Sequence, residues 1–366
     1  MRRVWVDNLR CFTVLLVVLY HCFYIFNSVG VFGGIGPLRP GDGQVQDIVE
    51  YTMYPWFMVL LFLLAGMSAK WSLDKRSTRE FIKSRSLKLL IPGIAGLFVI
   101  HWITGYFNVL AGAGMQQFAQ MPLLLKWLVF SLSGTGPLWF IQLLWLYSLL
   151  AALIRTIDKQ CKVNALMSKA LDSWIGLAAT GVAFFLLSWT GSLLTSYNTP
   201  LMGLYRPLVY LVPFLLGYFA FSDDKLLDRL GRLSIPAIPV FIAMAVLYVL
   251  RWFPQNYSDG TVQQHWTTML FATLGSLCMM AIFRRWCDRE CRLGDFLIPR
   301  SYGIYILHYI PLLVMAYFLK NSSVIPPVAT YAILIIATPV ASIALYELLS
   351  RIPAVRTLVF GIRKRS

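Results

Sequence analysis

The chain has 366 residues, 58% of them hydrophobic and 13% charged, with a mean hydropathy of +0.67. A soluble domain carries about 25% charged residues, so this composition excludes a soluble enzyme and predicts an all-α, polytopic membrane protein. The net charge of +16 comes with no basic soluble domain and no RNA-binding motif, which excludes nucleic acid as a partner and directs the charge to anionic lipid headgroups.

Apolar runs long enough to cross a ~30 Å hydrocarbon layer predict ten spans, at 9–29, 52–69, 87–108, 137–155, 174–191, 206–222, 234–252, 266–284, 301–319 and 328–349. Placing the N-terminus inside puts 27 of the 32 Lys and Arg residues in inside segments and leaves Arg39, Lys126, Arg206, Arg251 and Lys320 outside. A missed helix would invert every later loop, so this alternation supports ten transmembrane helices with both termini cytoplasmic. The predicted division is a membrane domain over 1–350 and a short basic cytoplasmic tail over 351–366.

The first span follows Arg2 and Arg3 but is too long for a signal h-region and lacks a small-residue cleavage site, so it is expected to remain in the protein. It contains Asp7-Asn8-Leu9-Arg10 and then His21. Ionisable groups in a membrane-length run are functional suspects. Eleven residues is close to three helical turns, which puts Arg10 and His21 on one face with about 16 Å of axial rise between them. Each also has a plain reading: Arg10 as a snorkelling anchor, His21 as a buried histidine bonded to a neighbouring helix.

The segment from Gly30 to Tyr51 reads as an outside loop with acidic character from Asp42, Asp47 and Glu50. Lys70 to Lys88 is a basic inside segment of helical period. Arg85 and Lys88, three apart at the start of the third span, are predicted to present two cations on one helical face at the same membrane surface as Arg10. Met121 to Phe130 is too short and too charged to span, and reads as an interfacial or re-entrant segment.

Trp139, in Gly136-Pro137-Leu138-Trp139-Phe140 at the outer start of the fourth span, stands where belt tryptophans sit. Ser301-Tyr302-Gly303-Ile304-Tyr305-Ile306-Leu307-His308 opens the ninth span from inside and carries a second intramembrane histidine, placed about 10 Å deep by counting from Ser301. His308 is therefore expected to lie several ångströms shallower than His21, lining a donor channel. His101 and His265, near outer helix ends, read as ordinary interfacial polar residues.

The six cysteines are scattered and imply no disulfide framework, and Cys287 with Cys291 lacks a second ligand pair at zinc spacing, so no metal is expected. There is no His-Glu-x-x-His, no Gly-x-Ser-x-Gly and no P-loop. No internal repeat with matching broken helices is visible, which weakens a secondary-transporter reading.

Together these residues resemble acyltransferase family 3, integral-membrane enzymes with ten core helices that move acyl groups from cytoplasmic acyl-coenzyme A to acceptors at or beyond the membrane. The resemblance rests on Asp7-Asn8-Leu9-Arg10 with ten residues before His21, on Leu61-Phe62-Leu63-Leu64-Ala65-Gly66, on Arg85-Ser86-Leu87-Lys88-Leu89-Leu90-Ile91-Pro92, on Leu138-Trp139-Phe140 and on the run from Ser301 to His308. It implies that Arg10, Arg85 and Lys88 engage coenzyme A and that His21 serves acyl transfer, with Asp7, Trp139 and His308 in support. Lys88 stands where the family has a second Arg, which keeps charge but loses the bidentate fork. Seventeen residues follow the last span, so the esterase-like domain of some members is not expected. The region of the second and third spans is similar to the branch that succinylates periplasmic glucans.

The physical chemistry agrees with that implication. Coenzyme A phosphates need cations at the inside rim, and a pantetheine arm of ~20 Å is comparable to the axial gap between Arg10 and His21. The expected activity is O-acyl transfer at a plasma membrane, from acyl-coenzyme A to a hydroxyl of an extracytoplasmic glycan, lipid or small molecule. O-acetylation of a polysaccharide is one form of it. His21 acts as general base or transient acyl carrier. The rival reading is a proton-coupled transporter or flippase, with His21 and His308 as a proton relay and Arg10 binding an anionic substrate.

Overall fold

The computed structural model describes residues 3–31, 33–38, 44–112, 115–195, 206–320, 322 and 324–363. Arg39 and Asp42 of the first outside loop, and Lys364 and Arg365 of the basic tail, lie outside the described residues. All regular structure among the described residues is helical. In chain order the helices are α1 (Val4–Tyr24), α2 (Ile48–Met53), α3 (Phe57–Leu73), α4 (Thr78–Arg85), α5 (Ile91–Gly96), α6 (Trp102–Ala111), α7 (Leu123–Ser133), α8 (Leu138–Ile157), α9 (Lys162–Ala170) and α10 (Trp174–Leu193). They continue with α11 (Pro207–Phe219), α12 (Asp224–Arg232), α13 (Ser234–Trp252), α14 (Gly260–Gln263), α15 (Trp266–Trp286), α16 (Arg292–Leu307), α17 (Tyr309–Lys320), α18 (Pro327–Leu349) and α19 (Pro353–Phe360).

Among the described residues eight helical stretches are long and apolar enough to cross a membrane, and α16 with α17, bent by 57°, makes a ninth if counted as one span. The sixth expected span, 206–222, is the 13-residue α11, which at 1.5 Å per residue rises only about 20 Å. Its start is set by Pro207 at the first helical position, and soon after its end Asp223 caps α12 by accepting from the backbone of Lys225 and Leu226. The ninth expected span, 301–319, begins nine residues earlier, at Arg292, and breaks at His308. Pro311 explains the break: it has no N–H for the Leu307 carbonyl, and its ring crowds that oxygen. The third span is a composite in which π-helical turns at Ser86–Leu90 and Leu97–His101 flank α5.

The chain forms two compact units, Met1–Thr13 with Tyr51–Arg85 and Leu143–Ile298, and Val14–Glu50 with Ser86–Gln142 and Pro299–Ser366. In the first unit α3 and α11 touch backbone to backbone. A Cβ at Gly66 would run into the Phe214 carbonyl and one at Gly217 into the Leu63 carbonyl, the small-residue contact by which apolar helices associate without a hydrophobic drive. Phe62 stacks on Tyr210 at 4.8 Å in the same seam. The start of α1 is pinned at three points. Asp288 accepts from the Trp5 N–H at 3.1 Å, the Asn8 amide donates to the Cys287 and Arg289 carbonyls at 2.7 and 3.0 Å, and Arg3 pairs with Asp224 while lying 4.1 Å from the Trp71 ring. That guanidinium holds the Asp224 carboxyl below the usual carboxylate range.

In the second unit α17 packs on α6 and α18, and α19 lies against α5, with Val359 and Phe360 buried. Pro92 cannot donate to the Lys88 carbonyl four residues back, and the Tyr302 hydroxyl donates to that oxygen instead. Likewise the Gln142 amide donates to the Gly93 carbonyl at 2.7 Å. The segment around Met121 to Phe130 is α7, with Leu123 84% and Leu124 68% exposed, an apolar face suited to lipid contact.

Candidate active site

In the second unit, α1 carries His21 and the break between α16 and α17 carries His308, and the two rings meet. His308 Nε2 lies 3.2 Å from His21 Nδ1, with ring centroids 5.0 Å apart. His21 Nδ1 also faces the Val17 carbonyl at 2.7 Å, one turn back on the same helix, and His308 Nδ1 faces the Tyr305 carbonyl at 2.7 Å. His308 is fully buried and His21 half-buried. Tyr20, Tyr24 and Tyr309 set their rings around His21 at 5.1–5.6 Å. His21 Nε2 makes no hydrogen bond to the described residues, and both polar contacts of the ring run through Nδ1.

His308 is therefore not shallower than His21 but in contact with it. The expected depth was counted from Ser301, whereas α16 begins at Arg292, so His308 follows sixteen helical residues, about 24 Å of rise. The break is clamped by Tyr305, whose hydroxyl donates to the Pro137 carbonyl at 2.5 Å and whose ring lies 5.5 Å from Phe140. The motif Leu138-Trp139-Phe140 is thereby tied to the histidine pair. Trp139 itself is half-buried, its ring 6.3 Å from Phe140.

The cations divide between the units. In the first unit Arg10 donates through Nη2 to Ser68 Oγ at 2.7 Å and faces Asp7 at 3.6 Å, with 40% of its side chain exposed. Arg85 lies with its guanidinium carbon 5.1 Å from the Phe81 ring centroid, and close enough to Arg10 and Arg76 for their charges to repel. This is a locally positive surface, fit to attract a polyanion. Lys88 belongs to the second unit and is exposed. A π-turn at Ser86–Leu90 begins between Arg85 and Lys88, so the regular α-helical spacing from which a shared face was expected ends at Arg85.

A family model described as an acyltransferase domain, that of acyltransferase family 3, matches residues 3–347. The chain belongs to acyltransferase family 3. It is an acyltransferase, and the transporter reading gains no support. Neither a curated protein nor a solved structure matches the chain.

Within this acyltransferase the sequence reading missed His101. It is fully buried rather than interfacial, at the end of the second π-turn, with its ring beside the backbone of Ile306 and Gly134 but neither nitrogen in hydrogen-bond geometry. Its position after Pro92 and two glycines, in a helix prone to irregular turns, was the available signal. His265 serves the fold instead, since its Nδ1 accepts from the Thr267 N–H at 3.3 Å and caps α15. Among the described residues no group of three His, Cys, Asp or Glu could hold a metal ion.

Proposed function

We propose that this protein is a plasma-membrane O-acyltransferase with ten membrane segments and cytoplasmic termini, which takes an acyl group from cytoplasmic acyl-coenzyme A and delivers it to a hydroxyl on the outer side. The observation that carries the reading is the half-buried His21, held by a buried second histidine and presenting one unbonded ring nitrogen, in a chain of this family. Arg10 and Arg85, with Lys88, supply cations for the phosphates of coenzyme A, and the sequence places Arg10 eleven residues before His21 on one unbroken helix.

His21 Nε2 takes the proton from the acceptor hydroxyl as that oxygen attacks the thioester carbonyl carbon. The C–O bond forms, the C–S bond breaks, and the departing thiolate recovers the proton from Nε2. In the covalent variant Nε2 attacks the carbonyl carbon and the C–S bond breaks to release coenzyme A thiolate; the acceptor oxygen then attacks the acyl carbon, the C–N bond breaks, and the hydroxyl proton goes to the thiolate.

Purified protein in detergent, given acetyl- or succinyl-coenzyme A and a hydroxyl acceptor, is expected to release free coenzyme A thiol, with the acyl group recovered on the acceptor by mass spectrometry. Binding of the thioester without any thiol release, over a panel of acyl donors and acceptors, would overturn the reading.

A further inference from the structure

Resting on the reading of His21 as base or nucleophile, we infer that His308 is the positioning residue that holds His21 in its Nδ1–H tautomer, leaving the lone pair on Nε2 for the reaction. A carbonyl oxygen only accepts, so His308 Nδ1, 2.7 Å from the Tyr305 carbonyl, carries the proton. A neutral imidazole has one N–H, so His308 Nε2 presents a lone pair to His21 Nδ1 at 3.2 Å. The Val17 carbonyl presents a second acceptor to that nitrogen at 2.7 Å. Two acceptors converge on one nitrogen, and only the Nδ1–H tautomer of His21 makes both contacts attractive. The opposite tautomer would set lone pair against lone pair twice and would block Nε2 with its own proton.

The arrangement also serves the charged state. Once Nε2 has taken a proton, the imidazolium keeps its Nδ1–H pointed at the same two acceptors, and charge-assisted hydrogen bonds are the stronger kind. The role is that of the buried carboxylate in a serine-protease triad, performed here by a neutral ring. His308 can do this because it cannot turn: it is fully buried, fixed by Tyr305 through its own Nδ1, and set at a break that Pro311 enforces and the Tyr305 to Pro137 bond clamps. The titratable rings facing the pair, Tyr20, Tyr24, Tyr305, Tyr309 and His101, carry no fixed charge that could replace it.

The test uses the whole 366-residue protein labelled with 15N-histidine, in which four histidines make assignment by single substitution practical. In the unsubstituted protein His21 is expected to show a protonated Nδ1 and an unprotonated Nε2. His308→Ala should mix or reverse these signals and lower kcat about 10- to 100-fold with KM for the acyl donor unchanged. His308→Gln, whose amide oxygen reaches the place of Nε2, should restore the tautomer and much of kcat. An unaltered His21 tautomer and full kcat in His308→Ala would overturn the inference, as would a kcat loss that Gln fails to relieve while the tautomer stays intact. Full turnover by His21→Ala, with the tautomer still dependent on residue 308, would refute the base assignment and leave the coupling of the two rings standing.

Discussion

Replacing Arg10 by alanine separates donor binding from folding, because the structure fixes what the folded protein loses. Among the described residues the guanidinium contacts Ser68 and Asp7. Ser68 Oγ also donates to the Leu64 carbonyl at 2.7 Å, so its hydroxyl keeps a partner. Asp7 loses an ion pair at 3.6 Å between side chains 40% and 25% exposed, a contact of the kind that contributes about 0–1 kcal/mol. The melting temperature in detergent should therefore fall by no more than a few degrees. A charge-assisted hydrogen bond to a coenzyme A phosphate is worth about 1.5–3 kcal/mol, or roughly 10- to 150-fold in Kd. Titration calorimetry with coenzyme A should thus show Arg10→Ala binding at least tenfold more weakly, and raising salt should narrow the difference. Arg85→Ala should weaken binding by a similar factor and Lys88→Ala by less, since a point charge replaces a planar fork. Unchanged coenzyme A affinity in all three folded variants would refute the donor site.

His21→Ala should lose 10²- to 10⁴-fold in acyl transfer while retaining coenzyme A affinity in the same calorimeter, and near-normal turnover would remove His21 from the chemistry. A cysteine at Val45, which is 72% exposed, should react with an impermeant thiol reagent in intact cells whereas Cys287 and Cys291 should not; the reverse pattern would exchange donor and acceptor sides. Gly66→Val should overpack the α3–α11 seam against the Phe214 carbonyl, at a cost of about 1–3 kcal/mol or more, read as a lower melting temperature with unchanged coenzyme A affinity in the protein that remains folded. A melting temperature equal to that of the unsubstituted protein would mean that the seam is looser than Gly66 and Gly217 imply.

What could be read from the sequence was what depends on composition and period. Most of the long apolar runs are helices because length and hydropathy decide them, whereas the sixth is the 13-residue α11 and the ninth is broken at His308. The family was legible from Asp7 to Arg10 and from the spacing to His21. What depends on a partner distant in sequence was not legible. Nothing local to Asn8 tells that its amide caps the end of α15, or local to Ser68 that Arg10 rests on its hydroxyl. His308 was placed too shallow because helical rise was counted from the first apolar residue, whereas α16 carries polar residues in its first turns and starts at Arg292.

The two departures from regular helix that bear on the site have a common origin in proline. Pro92 cannot donate to the Lys88 carbonyl four residues back, and Pro311 cannot donate to the Leu307 carbonyl. Pro92 lies just after a π-turn, and the tyrosine that donates to the Lys88 carbonyl, Tyr302, stands within two turns before His308 on α16. Pro311 breaks the helix at His308, and Tyr305 braces that break against Pro137. Neither the Lys88 nor the Pro137 carbonyl belongs to the helix that carries the tyrosines, so Tyr302 and Tyr305 of Ser301-Tyr302-Gly303-Ile304-Tyr305 tie the end of α16 to two other segments, and the break that follows sets His308 where its Nε2 meets His21. Glycine at 303 belongs to the same logic, since any side chain there would strike the Tyr346 ring and push this stretch of α16 away from α18. A motif whose residues look individually weak is thus a single device, two hydroxyls and a gap, for holding one imidazole still.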